Sequence, residues 1–174
     1  MILIGIGANL PGKFGSPRAV CEAALEKLDL MGVRIVQRSN WYRSAPVPIS
    51  DQPWYINGVA SLMSDLNPFD LLQLLHQVER EFGRVRALRN EARVIDLDIL
   101  AYYDIVESGL PTLPHPRLHE RAFVLYPLAE VAPGWRHPVL ERLVADLIAE
   151  LPDGQRIEIE TPLVRGVVTA STIT

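Results

Sequence analysis

The sequence predicts an α+β fold with an antiparallel sheet, and three observations carry that expectation. Two segments bear the start and stop signals of helices, and the short apolar runs around them have the length of strands. The elements follow in the order strand-helix-strand-strand-helix-strand. With 174 residues, 48% of them apolar, the chain can bury a sizeable core. Residues 1–174 are expected to form one domain, with a core over about 1–151 and a tail, 152–174, in which no role is legible.

Met1 to Ala8 is a largely apolar run suited to a buried strand. Ser16-Pro17 opens a helix, Ser as N-cap and Pro at the first helical position, with Val20, Ala24, Leu28 and Met31 as the buried stripe and Gly32 as the stop. Val33 to Tyr42 reads as a strand and runs into a Pro-rich loop, Ser44 to Pro53; Tyr55 to Leu66 reads as another. The second helix has the clearest bounds. Asn67 is its N-cap, Pro68 its first residue and Asp70 an acid placed to favour the helix dipole; Leu71, Leu74, Leu75, Val78 and Phe82 face the core, and Gly83 ends it. An arginine-rich loop leads to a strand over Val94 to Tyr102. This order is the split β-α-β arrangement of a ferredoxin-like βαββαβ core with both helices on one sheet face. A C-terminal helical extension follows, near Arg121 to Val131 and Leu140 to Leu151, and then an alternating apolar stretch from Ile157.

No apolar run is long enough to span a bilayer, and the opening MILIGIGANL lacks the basic leader and cleavage site of a signal peptide. A single cysteine, Cys21, excludes an internal disulfide and fits a reducing compartment, so a cytoplasmic location is expected. The net charge of −4 argues against a nucleic-acid partner held by a general basic field. Arginines are nonetheless concentrated locally, with Arg80, Arg84, Arg86, Arg89 and Arg93 in one stretch.

Immediately after that stretch comes Val94-Ile95-Asp96-Leu97-Asp98-Ile99-Leu100. On a strand, Asp96 and Asp98 share a face roughly 6.5–7 Å apart, while Ile95, Leu97 and Ile99 point to the core. One reading is two solvated acids on a half-exposed strand. The other is a site for a hard cation such as Mg²⁺, which takes carboxylate, phosphate and water oxygens. Arginine forks match phosphate oxygens, so the preceding loop fits the second reading. Pro114-His115-Pro116-Arg117-Leu118-His119-Glu120-Arg121-Ala122-Phe123 adds two histidines, two arginines and an aromatic. Pro116 interrupts the helix that a zinc pair at His115 and His119 would need, which leaves phosphate or nucleotide contacts for His115 and Arg121. Gly5-Ile6-Gly7 invites a dinucleotide reading, but Leu10 stands where the third glycine belongs. Tyr55 and Asn57 lie on one face of a strand start, either as a core pair or as a ring and an amide for a flat heterocycle.

Taken together, these segments resemble the hydroxymethyl-dihydropterin pyrophosphokinase family of folate biosynthesis. The resemblance runs from Gly7-Ala8-Asn9-Leu10 through Tyr42-Arg43-Ser44, Asp51-Gln52-Pro53, Tyr55 with Asn57, and Gly83-Arg84-Val85-Arg86. It continues through Arg93 with Asp96-Leu97-Asp98, Pro114-His115, Arg121-Ala122-Phe123 and His137-Pro138. It implies a Mg²⁺-dependent transferase that moves the pyrophosphoryl group of ATP to the hydroxymethyl group of a dihydropterin. The expected partners are these small molecules, with no nucleic acid, no membrane, and a monomeric state.

The resemblance further implies that Asp96 and Asp98 hold two Mg²⁺ ions, and that Glu79, Arg84, Arg86, Arg93, Thr112, His115 and Arg121 contact or lie near ATP. Tyr55 and Phe123 would sandwich the pterin and Asn57 would bond its edge, with Ser44, Ala45 and Val47 completing the pocket. Arg84, Arg93 and Asp98 are the expected catalytic residues. The chain departs from the family pattern in the loop between Arg86 and Arg93, where Glu91 replaces a small residue and a frequent tryptophan is absent. A paralogue that binds without efficient transfer is therefore the alternative, and a ferredoxin-like RNA-binding or ligand-sensing module is a second one. The acid pair sits poorly with RNA, since it would repel a phosphate backbone.

Overall fold

The computed structural model describes residues 1–84 and 92–161. Arg86, Arg89, Asn90 and Glu91 of the arginine-rich loop, and the tail from residue 162, lie outside them. In chain order the elements are β1 (Ile2–Ala8), α1 (Pro17–Leu30), β2 (Arg34–Arg38), β3 (Tyr42–Ser44), β4 (Tyr55–Met63), α2 (Pro68–Glu81), β5 (Asp96–Tyr102), α3 (Ala122–Val131), α4 (Val144–Ala149) and β6 (Ile157–Ile159). The sheet runs β5-β1-β4-β3-β6, with β2 pairing the far half of β4, and its ladders are antiparallel. The α+β, ferredoxin-like architecture is as the sequence predicts.

Both long helices begin at the expected caps. The Ser16 side chain accepts from the Ala19 N–H and the Asn67 side chain from the Asp70 N–H, each ahead of a proline whose missing donor costs nothing there. Gly32 and Gly83, at φ 86° and 91°, take the left-handed conformation that ends each helix. One face of each helix packs on one side of the sheet. Val20, Ala24, Leu28, Leu71, Leu75 and Val78 meet Ile4, Ile6, Leu97 and Ile99 in a single cluster.

Three elements differ from the expected ones. One is the last helix, which is shortened to Val144–Ala149 from the expected Leu140 to Leu151. The stretch Val33 to Tyr42 is not one strand; it breaks at Ser39–Trp41 into β2 and β3, both paired to β4. The reason lies across the sheet. Trp41 turns its ring onto Gly58, where a Cβ would stand 2.7 Å from the indole, and Ser39 Oγ accepts the Val59 N–H at 3.1 Å. The alternating segment from Ile157 forms the short strand β6 on the outer edge of β3.

The opposite sheet face is covered over only part of its extent. Leu3, Val59, Leu100 and Ala101 pack under Val124, Leu125, Leu128 and Val131 of α3 and Val144 and Leu147 of α4. Tyr42 ties α3 down through a 2.5 Å hydrogen bond from its hydroxyl to Glu130. Beyond α3 this face carries glycines and polar side chains, and there the molecule opens.

Candidate active site

The β1–β5 ladder pairs Gly7 with Asp96 and Gly5 with Asp98; the β1–β4 ladder pairs Gly7 with Asn57 and Gly5 with Val59. Directly opposed residues in an antiparallel ladder share a face. Asp96, Gly7, Asn57 and Tyr42 therefore form one row across the sheet, with Asp98, Gly5 and Val59 in the next. The two glycines put no side chains of their own above β1, where only Leu100 and Asn57 come close. The result is a cleft of about 750 Å³ floored by the sheet and walled by the Ser44–Gln52 loop, the segment before β5, and the start of α3.

Of the residues expected at the site and described, Ser44, Ala45, Val47, Tyr55, Asn57, Arg84, Arg93, Asp96, Asp98, His115, Arg121 and Phe123 all line this cleft. Two stand apart from it. Thr112 is exposed and donates through Oγ1 to the Gly109 carbonyl at 2.9 Å. Glu79 is 1% exposed on the core side of α2, where its Oε1 accepts the Leu97 N–H at 2.8 Å and pairs with Arg84. Its carboxylate holds the β5 edge between the two aspartates. His115 and His119 also part company. His115 faces the cleft, whereas the His119 ring stacks edge-on against His137 at 5.8 Å.

The acids differ in their surroundings. Asp96 is gripped on both oxygens, by Arg84 at 2.5 Å and Arg93 at 2.7 Å, yet a quarter of its side chain stays exposed. Burial and the neighbouring Asp96 push the Asp98 carboxyl up to about 7, against the pull of Arg121. A carboxylate so placed gains from an added cation. Arg84, Arg93, Arg117 and Arg121 line the cleft against these two acids, which makes a cationic cleft in a chain of net charge −4. The His115 imidazole is depressed to about 4 by burial and by Arg121 and Arg117. It is therefore neutral at pH 7, with Nδ1 accepting the Arg117 N–H at 3.2 Å.

At the other end of the cleft, Asn57 is buried and its Nδ2 donates to Ser44 Oγ at 2.8 Å, which fixes the amide's orientation. Tyr55 enters from the start of β4 and Phe123 from the first turn of α3, where the Arg121 guanidinium lies 5.4 Å from its ring. Cleft residues to which the sequence assigns no site role include Gly5, Gly7, Gln52 and Arg117. The glycines had a signal, since a failed dinucleotide motif still demands a reason for two glycines in a buried strand.

Comparison with known proteins identifies the family. The family model for 7,8-dihydro-6-hydroxymethylpterin-pyrophosphokinase matches residues 3–133. The chain is similar to the 2-amino-4-hydroxy-6-hydroxymethyldihydropteridine pyrophosphokinase of Pseudomonas aeruginosa, 42% identical over 154 residues, covering 87% of this chain and 91% of that one. The enzymes of the same name from Synechocystis and Haemophilus influenzae are 38% and 35% identical. Those matches cover 86% and 90% of this chain, and 75% and 96% of theirs. With cleft, sheet register and sequence in agreement, the chain belongs to the 7,8-dihydro-6-hydroxymethylpterin-pyrophosphokinase family.

Proposed function

We propose that the chain transfers the pyrophosphoryl group of ATP to the hydroxymethyl group of 6-hydroxymethyl-7,8-dihydropterin, releasing AMP, as a cytoplasmic enzyme of folate biosynthesis acting as a monomer. One observation carries the reading above the rest. The sheet register puts the acid pair and the Tyr55–Asn57 pair on one face, inside one cleft rimmed by arginines.

The donor set suits Mg²⁺. Asp96 and Asp98 are hard oxygen ligands side by side at an open face, and the Asp98 carboxyl is short of positive charge. Two such ions, held by Asp96 and Asp98, would neutralise charge on the polyphosphate oxygens. The chain's own residues do the rest. Arg84, Arg93 and Arg121, with Arg86 from the neighbouring loop, bind phosphate oxygens as forks. Neutral His115 offers a hydrogen bond without adding charge. Tyr55 and Phe123 take the ring faces, and Asn57, held by Ser44, reads the ring edge. The backbone around Ala45 and Val47 completes the ring pocket.

The hydroxyl oxygen forms its bond to the β-phosphorus as the bond from that phosphorus to the α–β bridging oxygen breaks. AMP departs with that oxygen, and the hydroxyl proton is released to solvent. Little covalent chemistry falls to the protein, so the rate comes from alignment and charge. Glu79 supports the reading indirectly by keeping Arg84 beside Asp96. A single-turnover assay tests it: ATP must convert to AMP in step with dihydropterin diphosphate, and only with both the dihydropterin and Mg²⁺ present. Binding of both ligands with no AMP formed would overturn it.

A further inference from the structure

The two ends of the cleft are joined through one buried amide that does not itself line it. Asn9, at the exit of β1, is 2% exposed. Its Nδ2 donates to Gln52 Oε1 at 3.3 Å and to the Pro53 carbonyl at 3.1 Å. Its Oδ1 accepts the Arg93 N–H at 2.8 Å, while the Asn9 and Leu10 N–H groups donate to the Arg93 carbonyl at 3.1 and 3.2 Å. The neighbours dictate the carboxamide's orientation, because only an acceptor can face the Arg93 N–H and only a donor can face the Pro53 carbonyl. Gln52 Oε1 in turn accepts from the Tyr55 hydroxyl at 3.2 Å. A line of hydrogen bonds thus runs Arg93–Asn9–Gln52–Tyr55, from a cation at the Asp96 end to an aromatic at the Asn57 end.

We propose that Asn9 is a positioning residue that couples occupancy of the nucleotide half of the cleft to occupancy of the ring half. The inference rests on the functional reading above. Arg93 hangs from β1 by its backbone, through the three hydrogen bonds to Asn9 and Leu10. When its guanidinium exchanges Asp96 for phosphate oxygens, the adjustment of that backbone is passed to the Asn9 amide, and from there to Gln52 and Tyr55. Linkage makes the effect mutual: a ring seated on Tyr55 favours the arginine placement that binds phosphate. A side chain that cannot both donate and accept loses one side of the joint. Asp cannot donate to Gln52 and Pro53, and Ala can neither donate nor accept.

A merely structural brace would also lower stability when removed, so melting temperature does not separate the two roles. The coupling ratio does. In calorimetry on the full chain, the affinity for the unreactive 6-hydroxymethylpterin is measured with and without a non-hydrolysable ATP analogue and Mg²⁺. The wild-type ratio is expected to be at least about 5-fold, the lower end of ordinary coupling between sites. In Asn9→Ala it falls toward one. Gln52→Ala cuts the same line one member later and leaves the Asn9–Arg93 bonds in place, so it carries the test if Asn9→Ala does not fold. The ratio also cancels any direct contact Gln52 makes with the ring. A wild-type ratio of one, or a ratio kept in either folded variant, overturns the inference. Wild-type protein that binds neither ligand overturns the functional reading itself, a distinguishable result.

Discussion

Gly7 stands directly across the sheet from Asn57, and a methyl group on Gly7 would lie 3.0 Å from Asn57 Oδ1. The same residue pairs with Asp96 on its other side. The row across the cleft floor therefore carries no side chain between the Asn57 amide and Asp96. Gly7→Ala forces the Asn57 amide to give way, and overpacking of this kind costs about 1–3 kcal/mol. Because the strain falls on the amide proposed to meet the ring, the expected outcome is a KM for the dihydropterin raised about tenfold with kcat largely kept, the pattern of lost uniform binding. Steady-state kinetics that leave KM unchanged would remove Asn57 from the ring site.

Glu79 offers a second test, directed at stability. Its carboxylate is buried, accepts the Leu97 N–H at 2.8 Å and pairs with the largely buried Arg84. Removing one partner of a buried pair leaves the other uncompensated, at about 3–5 kcal/mol. Arg84 keeps Asp96 as a second partner, so Glu79→Ala falls toward the lower figure. Glu79→Gln retains an acceptor for Leu97 and costs less. Urea unfolding should place the midpoints in the order wild type, Glu79→Gln, Glu79→Ala, and variants that unfold at the wild-type midpoint would show that the carboxylate's charge and hydrogen bond contribute nothing.

How legible these features were depends on how local their causes are. Ser16-Pro17 and Asn67-Pro68 mark helix starts by chemistry contained within four residues, and α1 and α2 begin there. The acid pair was legible for the same reason, since period-two alternation needs only the strand itself. The break between β2 and β3 was not, because it is decided by Trp41 lying on Gly58, two segments apart in sequence. Strand β6 exists only because β3 leaves an edge beside it. The resemblance implies that Glu79 lies near ATP but not that it is buried, since its burial depends on Arg84 and on the Leu97 N–H of another element. Asn9 likewise stood in the motif as one polar residue after a strand, and only the fold brings Gln52, Pro53 and Arg93 to it.

His115 predicts a pH dependence of stability. Its imidazole titrates near 4 in the folded chain, lowered from 6.5 by burial and by Arg121 and Arg117. Between those values the unfolded chain binds a proton that the native state refuses, so stability drops as pH falls from about 6.5 toward 4. His115→Gln removes this contribution. The melting temperature of the variant should therefore decline less than that of the wild type over the same interval, while the two run parallel above pH 7. Parallel curves throughout would mean that the imidazole is not held neutral by its surroundings.

Asp98 joins the metal assignment to a measurement that does not depend on turnover. Burial and Asp96 raise its carboxyl to about 7, so ionising it in the folded chain costs stability that grows as pH rises from about 4 to 7. Asp98→Asn removes that cost. Without divalent cations the variant should melt higher than wild type at pH 8, and the difference should vanish near pH 4. Added Mg²⁺ reverses the ranking, because only the wild type has the ligand pair and gains stability by mass action. Turnover at saturating Mg²⁺ should fall about 10³-fold, the rate equivalent of losing several kcal/mol of charge stabilisation. Thermal melts with and without Mg²⁺, run beside the single-turnover assay, give both readings on one preparation. A variant that keeps near-wild-type turnover and the wild-type response to Mg²⁺ would leave Asp98 as a buried acid with no part in the chemistry.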